Sequence, residues 1–339
     1  MELGIGMFGD LSLDPSTGKY RDVSTKLNEV IDQVKLMDEV GIDVFAMGEH
    51  HRPDYAVSSP EILLAATASV TKNIKLASGV TVLSSAEPVK VYQDFSTIDL
   101  ISKGRAEIFV GRGSFIESFP LFGYNLADYN ELFEEKLDLL LKINSQENVS
   151  WKGNLRAPMQ SQTVYPRAFN DGKLPIWIAV GGTPESVLRA AKLGLPLIVA
   201  IIGGMPKGFK NLIEFYKQEY LRAGHDPEKM QIAVHSHTFV SDDPAVIDGY
   251  FQNYKSQMDR IGASRGWAPF TKMQYDGGRS KEGALFIGNS NEVADKINEV
   301  KEMFGLTRFI GHMDVGDPSH DVMMKSIELF GDKVSSQVR

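Results

Sequence analysis

The chain has 339 residues, of which 42% are hydrophobic and 24% charged, so it can bury a large core and is not a disordered polypeptide. A net charge of −8 with scattered lysines and arginines argues against nucleic acid or an anionic membrane as a partner, and the absence of cysteine excludes disulfides and thiolate metal sites. The N-terminus lacks a signal-peptide pattern and no apolar run reaches the roughly 18–20 residues of a membrane helix, so we expect a soluble, cytoplasmic protein.

Short apolar runs alternate with amphipathic segments along the whole chain. The predicted strands cover residues 3–8, 43–47, 74–83, 106–111, 175–180, 196–202, 232–240 and 307–310. The predicted helices cover residues 24–40, 60–70, 89–101, 128–143, 185–193, 208–223, 291–304 and 321–330. Eight strands, each followed by a helix, predict an α/β fold of the (β/α)8 TIM-barrel class. No linker divides the chain, so we expect one domain over residues 1–339.

Two stretches are too long to be plain connections. Residues 145–173 contain turn residues and predict a small hairpin or surface excursion. Residues 241–283 form an insertion between the seventh and eighth strands, with a helical segment near 245–261 followed by Arg265, Trp267 and Tyr275. Insertions at this face of a barrel usually serve as lids or substrate walls, and a plain extra helix with a disordered loop is an equal alternative.

Polar residues follow several predicted strands at their C-terminal ends, where barrel enzymes carry their active sites. Glu49, His50 and His51 come directly after the second strand. The third strand contains Gly79, and a glycine inside a strand indicates close approach of the backbone to a ligand. Arg112 lies between two glycines at the end of the fourth strand, where its planar guanidinium group can donate two hydrogen bonds to an anion.

The turn after the fifth strand predicts an anion site. It contains Gly181 and Gly182, then Thr183 as a cap, Pro184 as the first helical residue, and Ser186. The free N–H groups of a helix N-terminus attract phosphate, and the two hydroxyls add donors. The pattern is neither a Walker loop nor a dinucleotide fingerprint, so with Arg112 it indicates a different phosphorylated cofactor.

Three histidines near the last two strands raise the alternative of a metal site. His235 and His237 lie two apart on the seventh strand, and His312 follows the eighth, so their imidazoles could ligate zinc. The ligand order of metal-dependent barrel hydrolases is absent, however. Solvated or hydrogen-bonded histidines beside an anionic cofactor explain these positions as well, and we therefore predict no metal ligand.

An ordered set of motifs resembles the bacterial luciferase-like, flavin-dependent monooxygenases over nearly the whole chain. Each motif is weak alone, and their order and spacing carry the resemblance. The motifs are Gly48-Glu49-His50-His51, Ser78-Gly79-Val80-Thr81-Val82-Leu83, Ser102-Lys103-Gly104-Arg105, Gly111-Arg112-Gly113 and Gly181-Gly182-Thr183-Pro184. Residues 113–124 are most similar to an uncharacterised branch of this family.

The resemblance implies an oxidoreductase that binds FMN at the C-terminal face of the barrel and uses reduced FMN and molecular oxygen on a small organic substrate. It also implies a flavin reductase as a partner and a homodimer. His50 matches the histidine implicated in catalysis, with Glu49 and His51 beside it. A deazaflavin-dependent hydride-transfer enzyme and a non-catalytic flavin-binding protein remain alternatives.

Further positions match the cofactor site of the family. Gly79 and Val80 match the third-strand position where the family has a non-proline cis peptide bond under the flavin ring. The residues that match the phosphate-binding positions are Arg112, Gly181, Gly182, Thr183 and Ser186. Luciferase itself has a reactive cysteine next to the arginine, where this chain has Gly111. The resemblance therefore implies flavin binding here without implying light emission.

Overall fold

The computed structural model describes all 339 residues and contains eight parallel strands in a closed barrel. The strands are β1 (Glu2–Met7), β2 (Val44–Met47), β3 (Lys75–Ser78), β4 (Ala106–Gly111), β5 (Ile176–Val180), β6 (Leu197–Ala200), β7 (Ile232–Val240) and β8 (Arg308–His312). Each strand pairs with the next in chain order, and β1 pairs with β8. The predicted TIM barrel is confirmed.

Eight helices flank the barrel. They are α1 (Val23–Glu39), α2 (Pro60–Val70), α3 (Pro88–Ser102), α4 (Tyr129–Ser145), α5 (Pro184–Leu193), α6 (Lys210–Arg222), α7 (Ser290–Phe304) and α8 (His320–Leu329). Side chains cap several of them; the Asp22 carboxylate, for example, accepts the N–H of Thr25 at the start of α1. None of the helices combines the length and apolar character that crossing a membrane requires.

The insertion between β7 and β8 has regular secondary structure. It consists of two helices, Pro244–Arg265 and Lys272–Arg279, and a short strand, Phe286–Gly288, that pairs with the end of β7. The second helix was not predicted, because its signal is a local capping box of Thr271 and Gln274 within a segment that lacks an apolar period.

Shorter elements complete the fold. The excursion after α4 is a hairpin, Asn148–Trp151 with Met159–Thr163, as predicted. A second hairpin pairs Leu13–Asp14 with Lys19–Tyr20. The predicted third strand was too long: β3 ends at Ser78, and Thr81–Val82 forms a separate pairing with β4. Further short helical segments are Ser118–Leu121, Leu126–Asp128, Pro206–Phe209, Pro227–Lys229, Phe330–Val334 and Ser335–Val338.

The barrel interior differs between its two ends. Side chains alternate along a strand, so Arg308, Ile310 and His312 of β8 all face the interior. At the N-terminal end Arg308 pairs with Glu107 (Nη1–Oε2 2.6 Å) and Glu2, and its guanidinium lies over a tryptophan ring. A cluster of eight buried apolar residues fills the middle: Val44, Ala46, Ala77, Phe109, Trp177, Ile198, Ala233 and Ile310. The C-terminal end instead carries imidazoles.

Candidate active site

Three histidines lie inside the C-terminal end of the barrel. The ring centroid of His312 is 5.4 Å from that of His235 and 5.5 Å from that of His237. Burial lowers the pKa of His235 to about 4 and, with the His235 charge, that of His237 to about 3. A ring nitrogen of His237 bonds to the Tyr254 hydroxyl at 2.8 Å. These side chains are therefore neutral and buried rather than solvated, and the interpretation of them as hydrogen-bonded holds for His237.

His50 lies beside this group, separated from it by the ring of Phe8. The Phe8 centroid is 4.5 Å from His50 and 4.0 Å from His312. Tyr55 and Phe115 contact His50 from other sides, at 4.3 and 5.0 Å between centroids. Neither nitrogen of the His50 ring has a hydrogen-bond partner although both are buried. Buried polar atoms are seldom left unpaired, so these nitrogens are available to a ligand or to water.

Burial, with a smaller effect of the Arg52 and His51 charges, lowers the pKa of His50 to about 3. The ordinary pKa of an imidazole is near 6.5. The difference arises from the surrounding aromatic rings, which remove the water that would solvate an imidazolium. His50 is therefore a neutral imidazole near pH 7, with one N–H donor and one acceptor nitrogen.

Glu49 and His51 pair with each other rather than with His50. The Glu49 Oε1 is 2.9 Å from His51 Nε2, and the second oxygen accepts the backbone N–H of Val82 at 3.0 Å. The carboxylate thus ties the end of β2 to the segment after β3. It orients His51, whose ring contacts Phe122 edge to face at 5.2 Å.

Gly79 and Val80 follow β3 on the same face, and the peptide bond between them is cis. The N–H of Gly79 donates to the Met47 carbonyl at 2.6 Å. Val80 is partly exposed and packs against Gly111 at the end of β4.

Arg112 and the N-terminus of α5 come together across the barrel mouth. Arg112 Nη1 donates to Asn130 at 2.6 Å and Nη2 to the Thr183 hydroxyl at 3.3 Å. Arg112 has no ion pair with a carboxylate, so its charge is free for an anion. Ser186 lies one turn along, and its N–H donates to the Thr183 carbonyl at 3.1 Å.

The backbone before α5 leaves room for a ligand. Gly182 has a φ of 124°, which a residue with a side chain rarely adopts. No atom lies within 4 Å of the position that a Cβ would take at Gly181. An open turn, a free guanidinium, a hydroxyl and a helix N-terminus fit a phosphate group. Arg112 and the turn before α5 therefore suit the phosphate of a phosphorylated cofactor.

Gly111 leaves no space for a side chain. A Cβ at this position would lie 2.9 Å from Val80 Cγ2. We expect Gly111→Cys to lower the free energy of unfolding by about 1–3 kcal/mol, measured by urea denaturation, because the strand end would be overpacked. Gly181→Ala is the control and is expected to change stability by no more than about 0.5 kcal/mol. If Gly111→Cys were as stable as the wild type, the end of the strand would have room for a side chain.

The residues that could together ligate a metal are not the three histidines considered from the sequence but Asp10, His312 and Asp314. Asp314 already accepts three backbone N–H groups, from Phe8, Gly9 and Asp10. The Lys26 ammonium also lies 3.8 Å from it and supplies the positive charge. This network joins the end of β1 to the end of β8, and we assign no metal to it.

Sequence reasoning missed the aromatic residues around His50. Phe8 follows β1 and lies at the centre of the site, but an apolar residue at a strand end carries no chemical signal. Tyr55 and Phe115 come from loops whose path depends on long-range packing. Asn130 at the start of α4 was missed as well, because a single amide near a helix N-terminus is common.

A comparison with protein families matches residues 1–307 to the luciferase-like monooxygenase family. Among curated proteins, the chain is 25% identical over 353 residues to the uncharacterized protein y4vJ of Sinorhizobium fredii. That alignment covers 98% of this chain and 97% of the relative.

Solved structures share the fold. The monooxygenase RslO1 of Streptomyces bottropensis has a TM-score of 0.87 at 19% identity, covering 100% of both chains. The oxygenating constituent of 3,6-diketocamphane monooxygenase from Pseudomonas putida, in complex with FMN, has a TM-score of 0.76 at 21% identity, covering 100% of this chain and 99% of that one. A coenzyme F420-dependent tetrahydromethanopterin reductase of Methanopyrus kandleri has a TM-score of 0.73 at 17% identity, covering 100% and 99%. The family match spans most of the chain, which therefore belongs to the luciferase-like monooxygenases.

Proposed function

We propose that this protein is an FMN-dependent monooxygenase that uses reduced FMN and molecular oxygen on a small organic substrate. The observation that carries the proposal is the contact of Arg112 with Thr183, because it places a free guanidinium against a helix N-terminus. A flavin reductase would supply the reduced cofactor, and the active form would be a homodimer.

The cofactor phosphate would lie between Arg112 and the first turn of α5. Arg112 would donate from its planar fork, Thr183 from its hydroxyl, and the turn at Gly181 and Gly182 would let the backbone approach closely. Ser186 would add a donor from the same turn. Gly79 and Val80 would form the wall against which the ring system rests.

Bound FMN in its reduced form supplies the electrons that activate oxygen for transfer to the substrate. His50 would face the reacting atoms, because its two nitrogens are unpaired. As a neutral imidazole it can donate a proton from one nitrogen and accept one at the other. Glu49 would hold His51 in place, and Phe8, Tyr55 and Phe115 would exclude water from His50.

We expect Arg112→Met to weaken FMN binding by about 10–100-fold, because one charge-assisted hydrogen bond to phosphate contributes about 1.5–3 kcal/mol. Riboflavin, which lacks the phosphate, should bind the variant and the wild type equally. Quenching of flavin fluorescence measures both affinities. Unchanged FMN binding, or an equal loss for riboflavin, would remove Arg112 from the phosphate site.

Two alternatives share this site. The F420-dependent neighbour favours a deazaflavin enzyme that transfers hydride without oxygen. Titration with reduced FMN and with a deazaflavin, followed by measurement of oxygen uptake in the presence of a flavin reductase, separates the two cofactors. Tight binding of oxidised FMN without any oxygen uptake would instead favour a non-catalytic flavin-binding protein.

A further inference from the structure

Arg265, the last residue of the first insertion helix, reaches the mouth of the barrel. Its guanidinium carbon lies 5.0 Å from the centroid of Phe115 and 5.2 Å from that of Trp267. Its Nη2 donates to the Ser114 carbonyl at 3.3 Å. One aromatic ring from the β4–α4 segment and one from the insertion therefore contact the guanidinium group.

The charge of Arg265 is not neutralised. No carboxylate lies within 4.0 Å of it, and its remaining N–H groups have no protein acceptor. Arg52 also contacts Phe115, at 4.9 Å, but that guanidinium is paired with Asp54 and Glu117. Of the two cations on this ring, only Arg265 is free to bind an anion.

Arg265 is also close to the proposed reaction centre. Phe115 contacts Arg265 and, edge to face, His50. Exposed apolar side chains lie on the same two segments as Phe115 and Arg265: Ile116 is 52% exposed, Phe122 54% and Trp267 56%. Solvent-exposed aromatic rings beside a free guanidinium can bind the apolar body and the charged end of one ligand.

We propose that Arg265 binds the oxyanion of the substrate, which is an organic acid with an apolar body. The carboxylate or sulfonate would accept hydrogen bonds from the guanidinium edge, and the apolar part would lie on Phe115 and Trp267 towards His50. This proposal rests on the proposed function, and it assigns Arg265 to the substrate and Arg112 to the cofactor. The two guanidinium groups thus bind two different anions.

Calorimetric titration with octanoate, octanesulfonate and the neutral octanamide tests this assignment. The wild type should bind at least one of the two anions about tenfold more tightly than the amide, and this preference should weaken at high salt. Arg265→Met should bind the acid and the amide equally, whereas Arg265→Lys should keep part of the preference. Arg222→Met, on the outer helix α6, is the matched control and should behave like the wild type.

The fluorescence emission of Trp267 gives a second measurement of ligand binding, because Trp267 is exposed at this site whereas Trp151 and Trp177 are buried. An anion preference that survives in Arg265→Met would overturn the proposal. A loss of FMN affinity in that variant would also overturn it, because Arg265 would then belong to the cofactor site. Arg265-dependent binding of the acids by a protein that binds no flavin would support this site and contradict the proposed function.

Discussion

Lowering the pH from about 7 to about 5 is expected to reduce the free energy of unfolding steeply, because four buried histidines must be kept neutral. Burial lowers the pKa of His50 and His237 to about 3 and that of His235 to about 4, and burial with its neighbours lowers that of His312 far below its ordinary value. The unfolded chain takes up protons near pH 6.5, whereas the folded chain does not.

The sign and size follow from proton uptake. Each histidine that binds a proton only when unfolded costs about 1.4 kcal/mol per pH unit below 6.5, so four cost about 5.5 kcal/mol per unit. Asp10 has the opposite effect. Burial and the Asp314 charge raise its pKa well above the usual range, so at this carboxyl the folded chain binds one proton that the unfolded chain does not. Urea denaturation at several pH values between 7 and 5 measures the slope.

A variant pair controls this experiment. His235→Gln should reduce the slope of the free energy of unfolding against pH by about 1.4 kcal/mol per pH unit, the contribution of one proton. His225→Gln, outside the barrel interior, should leave the slope unchanged. A free energy of unfolding that is constant between pH 7 and 5 would mean that the imidazoles are solvated, contrary to the structure.

His50→Ala is expected to slow flavin-dependent oxidation by about 10²–10⁴-fold, the range for loss of a group that transfers a proton. The FMN dissociation constant should stay close to that of the wild type, because Arg112 and Thr183, the proposed phosphate ligands, lie on the other side of the mouth. Stopped-flow single turnover with reduced FMN, oxygen and a panel of organic acids measures the rate.

Two further variants separate a chemical role of His50 from a structural one. His50→Gln keeps a donor and an acceptor and should recover part of the rate, whereas His225→Ala should have the wild-type rate. An unchanged rate in His50→Ala would show that this imidazole does not take part. If His50→Ala lost FMN affinity to the same extent as it lost rate, the substitution would have disrupted the structure of the site.

Much of the fold was predictable from local pattern. The alternation of apolar runs with helical periods predicted all eight barrel strands, since parallel strands that are buried on both faces are predominantly apolar. Closure of the barrel then brought Arg112 and Thr183 to one mouth although they are distant in sequence. The second insertion helix was not predicted, because only its capping residues mark it.

The site itself was less predictable. The sequence could place Glu49, His50 and His51 at one strand end, but it could not decide which imidazole the carboxylate would meet. Adjacent side chains on an irregular segment point in different directions, and their rotamers depend on packing against distant residues. The burial of His50 depends on Phe8 and Phe115, so its lowered pKa could not be foreseen.

The barrel is closed by its first and last strands, which has a consequence for biosynthesis. The five residue pairs of that seam, from Glu2 with Arg308 to Gly6 with His312, cannot form until the ribosome has released the final strand. Until then the nascent chain exposes an unpaired edge of β1, and unpaired edges attract other strands. Completion of the seam therefore pairs the backbone groups of β1 that would otherwise be open to a strand of another chain.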